Sequence, residues 1–148
     1  MEKIWFNDYT VEAITGTMGT DVADKHILGA LGIELTEIGD DYLKGTMPVD
    51  ERTHQIHGIL HGGATCVLAE TIGSIASILC VDPSKYYAVG SMITANHLRS
   101  VSEGHVIATA KAVHIGRTKH VWDILVHSDQ GKLIAKCELT CAVVPHKK

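Results

Sequence analysis

The stretch His61-Gly62-Gly63-Ala64-Thr65-Cys66-Val67-Leu68-Ala69-Glu70-Thr71-Ile72-Gly73-Ser74-Ile75-Ala76-Ser77-Ile78-Leu79-Cys80 decides the fold. It holds no proline, and from Ala64 to Cys80 its one charge is Glu70. Its length favours a helix over a strand. Apolar side chains fall on every side, so the helix is expected to be buried and not laid on a surface. With Glu70 at its centre and Thr and Ser interspersed, it reads as too short and too polar to span a bilayer.

A carboxylate in a buried helix calls for a partner, because ionised Glu is almost never buried alone. Ser74 lies on the same face one turn later, within hydrogen-bonding reach. At the helix start, Gly62-Gly63 leaves N–H groups unobstructed where a helix has unpaired donors and a partial positive charge. That end suits a carbonyl oxygen or an anion. A core helix whose Glu70 reaches a salt bridge or the surface would explain the carboxylate without chemistry. Spacing adds a constraint. Gly62 and Glu70 are separated by about 12 Å along a helix axis, too far to serve one reacting atom within one chain. If both act on one substrate, they come from two chains packed about a two-fold axis.

The remaining sequence sets the context. Its 148 residues suffice for one domain with an adequate core, 1–148, in which 1–32 forms a helical and irregular cover segment. Apolar residues make up 45% and charged residues 20%, the balance of a soluble globular protein. A net charge of -4 argues against a large nucleic-acid footprint, which needs a basic face. Residues 1–8 lack the apolar core and cleavage site of a secretory signal. The four cysteines, Cys66, Cys80, Cys137 and Cys141, fall in apolar stretches and form no CxxC pair. They read as reduced core residues of a cytoplasmic protein.

In chain order, Thr10 is the expected N-cap of a short helix opening over residues 11–14. Gly16, Gly19 and Gly29 predict an irregular stretch, with one helical turn around residues 24–30. Residues 33–38 alternate apolar and polar, Gly39-Asp40-Asp41 turns, and residues 42–49 return, which is a hairpin pattern. A polar loop over residues 50–59 leads to the buried helix. Four long strands follow at 86–99, 105–115, 118–128 and 132–144, separated by Gly- and Asp-containing turns. One helix early in a run of about six strands with short connections predicts an α+β fold, a single curved antiparallel sheet wrapped around that helix. Pairing sheet edges across a dimer would remove an exposed-edge liability.

That layout and its motif resemble the hotdog fold. The residues are similar to the acyl-CoA thioesterase branch that includes phenylacetate-pathway, hydroxybenzoyl-CoA and dihydroxynaphthoyl-CoA thioesterases. The matching segments are Met47-Pro48-Val49-Asp50, Gln55, Gly58-Ile59-Leu60-His61-Gly62-Gly63, Leu68-Ala69-Glu70-Thr71-Ile72-Gly73-Ser74, Ala95-Asn96-His97-Leu98-Arg99 and Val121-Trp122. The resemblance covers roughly residues 33–144. It implies that Glu70 is the catalytic carboxylate and that the Gly62 N–H polarises the thioester carbonyl. It implies supporting roles for His61, Gln55 and Ser74, and an active site shared between two subunits. Many relatives carry an apolar pair where this chain has Ile56-His57, so the acyl pocket is expected to differ there.

The chemistry follows from the residues so matched. Glu70 would attack the thioester carbon to give an anhydride, or deprotonate a water. Ser74 would orient Glu70 or the water, and Gln55 and His61 would align the carbonyl or the helix start. His97 and Arg99 would border the pocket. Arg99, Arg117 and Lys119 are the candidate contacts to the phosphates of coenzyme A. His54, His57 and His61 do not make a zinc site, since no CxxC or carboxylate is spaced to complete four ligands. The expectation is therefore an acyl-CoA thioesterase for aromatic or medium acyl groups. It needs no metal or bound cofactor, binds no nucleic acid or membrane, and acts as a dimer or a dimer of dimers. The competing readings are a hotdog acyl-CoA hydratase or dehydratase using a His with Glu70, and a non-catalytic acyl-CoA-binding protein.

Overall fold

A computed structural model describes residues 2–18 and 25–147. Along the chain run α1 (Val11–Met18), α2 (Ile27–Leu31), β1 (Glu34–Ile38), β2 (Tyr42–Pro48), α3 (Gly62–Leu79), β3 (Tyr86–His97), β4 (His105–Ile115), β5 (Lys119–Ser128) and β6 (Leu133–Pro145). The strands form one sheet in the order β1-β2-β4-β5-β6-β3, and every neighbouring pair is antiparallel. This is the hotdog arrangement expected from the sequence, with α3 inside the curl of the sheet.

The alternation of side chains builds the core. On β5, His120, Trp122, Ile124, Val126 and Ser128 point inward, and the residues between them are half-exposed. Val106, Ala108 and Ala110 do the same on β4. Leu68, Ala69, Ile72 and Ala76 of α3 are fully buried against these faces. Burying a Leu or Ile side chain stabilises by about 1.5–3 kcal/mol, so this layer holds the helix in place. Gly73 lets α3 approach the sheet closely, because a β-carbon there would stand 2.6 Å from a Leu139 methyl.

The N-terminal segment is tied to the same core. Thr10 Oγ1 accepts from the Ala13 N–H at 3.2 Å, the expected cap. The helix runs on to Met18, and Gly16 lies inside it instead of in an irregular stretch. The Thr15 and Thr17 hydroxyls bond back to the Val11 and Ile14 carbonyls within it. Gly29 lies within α2, which starts later than expected and ends at Leu31 before Gly32 in the left-handed conformation. Gly19 and Asp24 fall outside the described residues. Trp5 stacks on Trp122, with centroids 6.3 Å apart and planes at 8°. The Trp122 Nε1–H donates to Ser77 Oγ at 2.7 Å in the buried interior.

Two further differences have physical reasons. Strand β3 stops at His97, two residues early, because the Leu98 and Arg99 N–H groups both turn to the Ile134 carbonyl. The start of α3 at Gly62, capped by His61, is as expected. α3 also has, contrary to expectation, the 18-residue length and mean hydropathy, 1.4, of a short membrane span. Half of that length is buried inside the fold.

Candidate active site

The approach to α3 is pinned before the helix begins. Thr53 O accepts from the His61 N–H and Val101 O from the Leu60 N–H, each at 2.8 Å. His61 is extended, and its Nδ1 accepts from the Gly63 N–H at 2.8 Å. A neutral ring in that tautomer carries its proton on Nε2. The residue matched to a catalytic role is therefore also the helix cap. The Gly62 N–H forms no hydrogen bond among the described residues. The His97 ring packs over this turn, so that a β-carbon on Gly62 would stand 3.0 Å from His97 Nε2. Gly62, His61 and His97 are thus gathered at one end of the helix.

Gln55 sits in a tight loop just ahead. Its N–H donates to the Ile59 carbonyl at 2.9 Å and its carbonyl accepts from the Gly58 N–H at 3.0 Å. Gly58 has φ 73°, a conformation that suits glycine. The side-chain Oε1 accepts from the His57 N–H. That leaves the Gln55 NH₂ as the group with donors to offer. His54 Nε2 bonds the Ser102 carbonyl at 2.9 Å, so this histidine and His61 are each engaged separately.

Two turns along α3, Glu70 is half-buried and lies against β3. Its Oε1 occupies the space where a side chain on Gly90 would begin. Gly90 is paired with Cys141, and a bulge follows it, placing Ser91 opposite no partner, with Ser91 Oγ bonded to the Thr140 carbonyl. Bulges on edge strands re-aim the chain near functional groups. Two thiols flank the carboxylate. Burial pushes the Cys66 thiol up, and Glu70 one turn later adds to it. Burial also pushes Cys141 up, opposed by the Ser77 and Ser74 hydroxyls, with Glu70 again adding. Ser74 forms no hydrogen bond with Glu70 among the described residues, unlike the sequence expectation. Among the described residues neither His61 nor His97 forms a hydrogen bond or ion pair with Glu70.

Glu70 and Ser74 open into a cleft of about 370 Å³. Val67, Thr71, Ile75 and Ile78 complete its α3 wall, and Met18, Ile27 and Leu28 of the N-terminal segment face them. The cationic candidates are split between the ends of the sheet. Arg99 lies just past His97, at the helix-start end, with Nη1 donating to the Leu133 carbonyl at 2.9 Å. Arg117 and Lys119 lie at the β4–β5 turn, at the opposite end, where Lys119 pairs with Ala142.

Sequence reasoning missed Gly90, and it did not place Cys66, Cys141 or the cover-segment residues Met18, Ile27 and Leu28 at the site. A lone glycine within a strand pattern signals a bulge or a close backbone approach, so Gly90 was detectable. Which strand faces Glu70 depends on the sheet order, and no local pattern gives that.

Comparison with known proteins agrees with this fold. Residues 57–135 match the thioesterase superfamily. The chain is 42% identical to the 1,4-dihydroxy-2-naphthoyl-CoA hydrolase of Escherichia coli, over 95% of this chain and 99% of that protein. It superposes with a TM-score of 0.90 on the crystal structure of a Pseudomonas aeruginosa thioesterase bearing one glutamine-to-alanine change, at 46% identity over 97% of this chain and 100% of that one. Structures of a Staphylococcus aureus thioesterase, one with a glutamate and one with a glutamine changed to alanine, superpose with a TM-score of 0.79. Identity to the glutamate variant is 36%, over 82% of this chain and 100% of that one. The two altered positions are fifteen residues apart. With its sheet, its central helix and most of its length matched, the chain belongs to the thioesterase superfamily.

Proposed function

We propose that this thioester hydrolase cleaves an acyl-CoA to the free acid and coenzyme A at a site built from two chains. The carrying observation is the position of Glu70. It is half-buried in a cleft on a helix whose own first N–H, on Gly62, lies two turns away. The separation of Gln55 and Glu70 equals that of the glutamine and glutamate altered in the Staphylococcus aureus protein, which supports pairing these two residues in one mechanism.

A thioester carbonyl is electrophilic and its thiolate leaves readily. In this reading the Gly62 N–H of one chain donates to the carbonyl oxygen as charge develops there; such a donor contributes about 3–4 kcal/mol. The Gln55 NH₂ aligns the same oxygen, and His61 holds the helix start. Glu70 of the other chain attacks the carbon or takes a proton from water. Ser74, beside it in the cleft, holds that water or the acyl carbonyl. Four free cysteines suit a reducing, cytoplasmic compartment.

Strand β3 supplies the means of pairing. It is an edge strand, and Tyr86, Tyr87, Val89 and Met92 on it are exposed. Antiparallel pairing of two β3 edges about a two-fold axis covers these side chains and removes both edges. It also turns the Gly62 end of one chain toward the Glu70-bearing half of the other. Arg117 and Lys119 of one chain then stand at the end where the other carries Arg99 and His97, a grouping suited to the phosphates of coenzyme A.

Complementation tests the two-chain site. Glu70→Gln and Gly62→Pro should each abolish most thiol release from acyl-CoA. Mixing the two variants and allowing exchange should restore about a quarter of wild-type activity, because half the dimers then hold one intact site. A mixture that stays inactive after verified exchange rejects the shared site. Full activity of Glu70→Gln alone rejects the role of the carboxylate.

A further inference from the structure

We infer that the acyl group is an unsubstituted aliphatic chain of medium length, lying along α3 from Glu70 toward Ile78 beneath the N-terminal segment. The inference rests on the thioesterase reading above and adds the substrate class. From Glu70 the cleft reaches one turn back to Val67 but eight residues forward to Ile78, about 12 Å along the axis. The longer arm is the one that accepts a chain.

The accessible wall of that arm is almost wholly apolar, with Glu70, Thr71 and Ser74 at its near end, where the thioester carbonyl belongs. Beyond them the described lining is aliphatic: Ile75 and Ile78 from α3, with Ile27 and Leu28 from α2 opposite. A ring hydroxyl carried past Ser74 would give up its water and find no hydrogen-bonding partner among these described residues, which a buried polar group does not tolerate cheaply. An alkyl chain gives up nothing polar and gains from each methylene buried.

Length follows from the same geometry. An extended polypeptide advances at most about 3.6 Å over three backbone bonds. About 12 Å therefore accommodates about ten bonds, the length of a decanoyl to undecanoyl chain. Ile78 is 43% exposed and marks the outer end of the arm. Methylenes beyond it emerge into water and gain nothing further.

The test is thiol release from saturated acyl-CoAs, butyryl through palmitoyl, alongside benzoyl-CoA and a dihydroxybenzoyl-CoA. The expected kcat/KM rises about fourfold per methylene, the gain for burying one CH₂, and levels off near decanoyl to undecanoyl. The dihydroxybenzoyl ester falls about tenfold or more below octanoyl. Ile78→Phe lowers the decanoyl-to-butyryl ratio of kcat/KM about tenfold, and Ile78→Ala moves the plateau to longer chains. Circular dichroism confirms that both variants fold. A flat chain-length profile, a preference for the hydroxylated ring, or Ile78 variants with the wild-type profile each overturns the inference while leaving Glu70-dependent hydrolysis intact. Failure to release thiol from any ester overturns the thioesterase reading itself, and the inference with it.

Discussion

Glu70 Oε1 fills the place that a side chain on Gly90 would claim. The carboxylate on α3 and the backbone of β3 are therefore fitted to each other, and strand β3 can carry nothing larger than glycine at this point without moving the acid. Gly90→Ala should displace the flexible end of Glu70 and not the backbone. Turnover should fall about tenfold, equivalent to about 1.4 kcal/mol in the barrier, with little change in thermal midpoint. Steady-state kinetics beside a thermal melt check this. An equal loss of stability and activity would mean that the strand, not the acid, had moved.

Gly62 offers a cleaner substitution than most donors. It is the first residue of α3, where proline is tolerated because that N–H has no helical partner. The preceding His61 has φ -70° and ψ 128°, the region a residue before proline prefers. Gly62→Pro should keep the helix and remove the N–H, lowering kcat by about 100-fold to 1,000-fold. Gly62→Ala keeps the N–H but presses on the His97 ring, and should cost far less. A proline variant no worse than the alanine one would exclude this N–H as the carbonyl donor.

Ser77 is wholly buried and accepts from the Trp122 indole. Ser77→Ala leaves that N–H without a partner in the core, a loss of about 1–3 kcal/mol. Urea titration followed by tryptophan fluorescence should show the midpoint falling at an unchanged slope.

His120 sets a pH dependence of stability. It is 1% exposed, and its Nδ1 has no partner among the described residues. Burial holds its pKa below the usual 6.5, with the Gly116 backbone opposing and nearby His114 adding to the depression. The unfolded chain therefore binds the proton more readily. Stability from this group is fully present above pH 6.5 and declines as the pH falls toward the lower folded-state value. The thermal midpoint should drop on acidification through this range. His120→Leu should flatten that part of the profile, and an unaltered profile would assign the dependence to other groups.

Much of this was legible in the chain. The sheet-forming alternation over residues 133–143 and the uniform apolarity of 64–80 are local patterns, so the strands and helix emerge from them with errors of a residue or two. The His61-Gly62-Gly63 start and the isolated Glu70 carry their chemistry in residue type and spacing. What could not be read is set by long-range packing. The closeness of Gly90 to Glu70 depends on β3 lying at the sheet edge beside β6. The nearness of Cys141 to Glu70 depends on the same arrangement, since Cys141 pairs with Gly90. The division of Arg99 from Arg117 and Lys119 follows from strand directions, which no local window contains.

The two sides of the cleft have separate origins in the chain. One belongs to the central helix and carries the acid; the other belongs to α1 and α2, latched to the core by the Trp5–Trp122 stack. Replacing Met18, Ile27 or Leu28 therefore alters one wall of the cleft without disturbing the helix that holds Glu70. The leading residues and the central helix are free to change independently of one another.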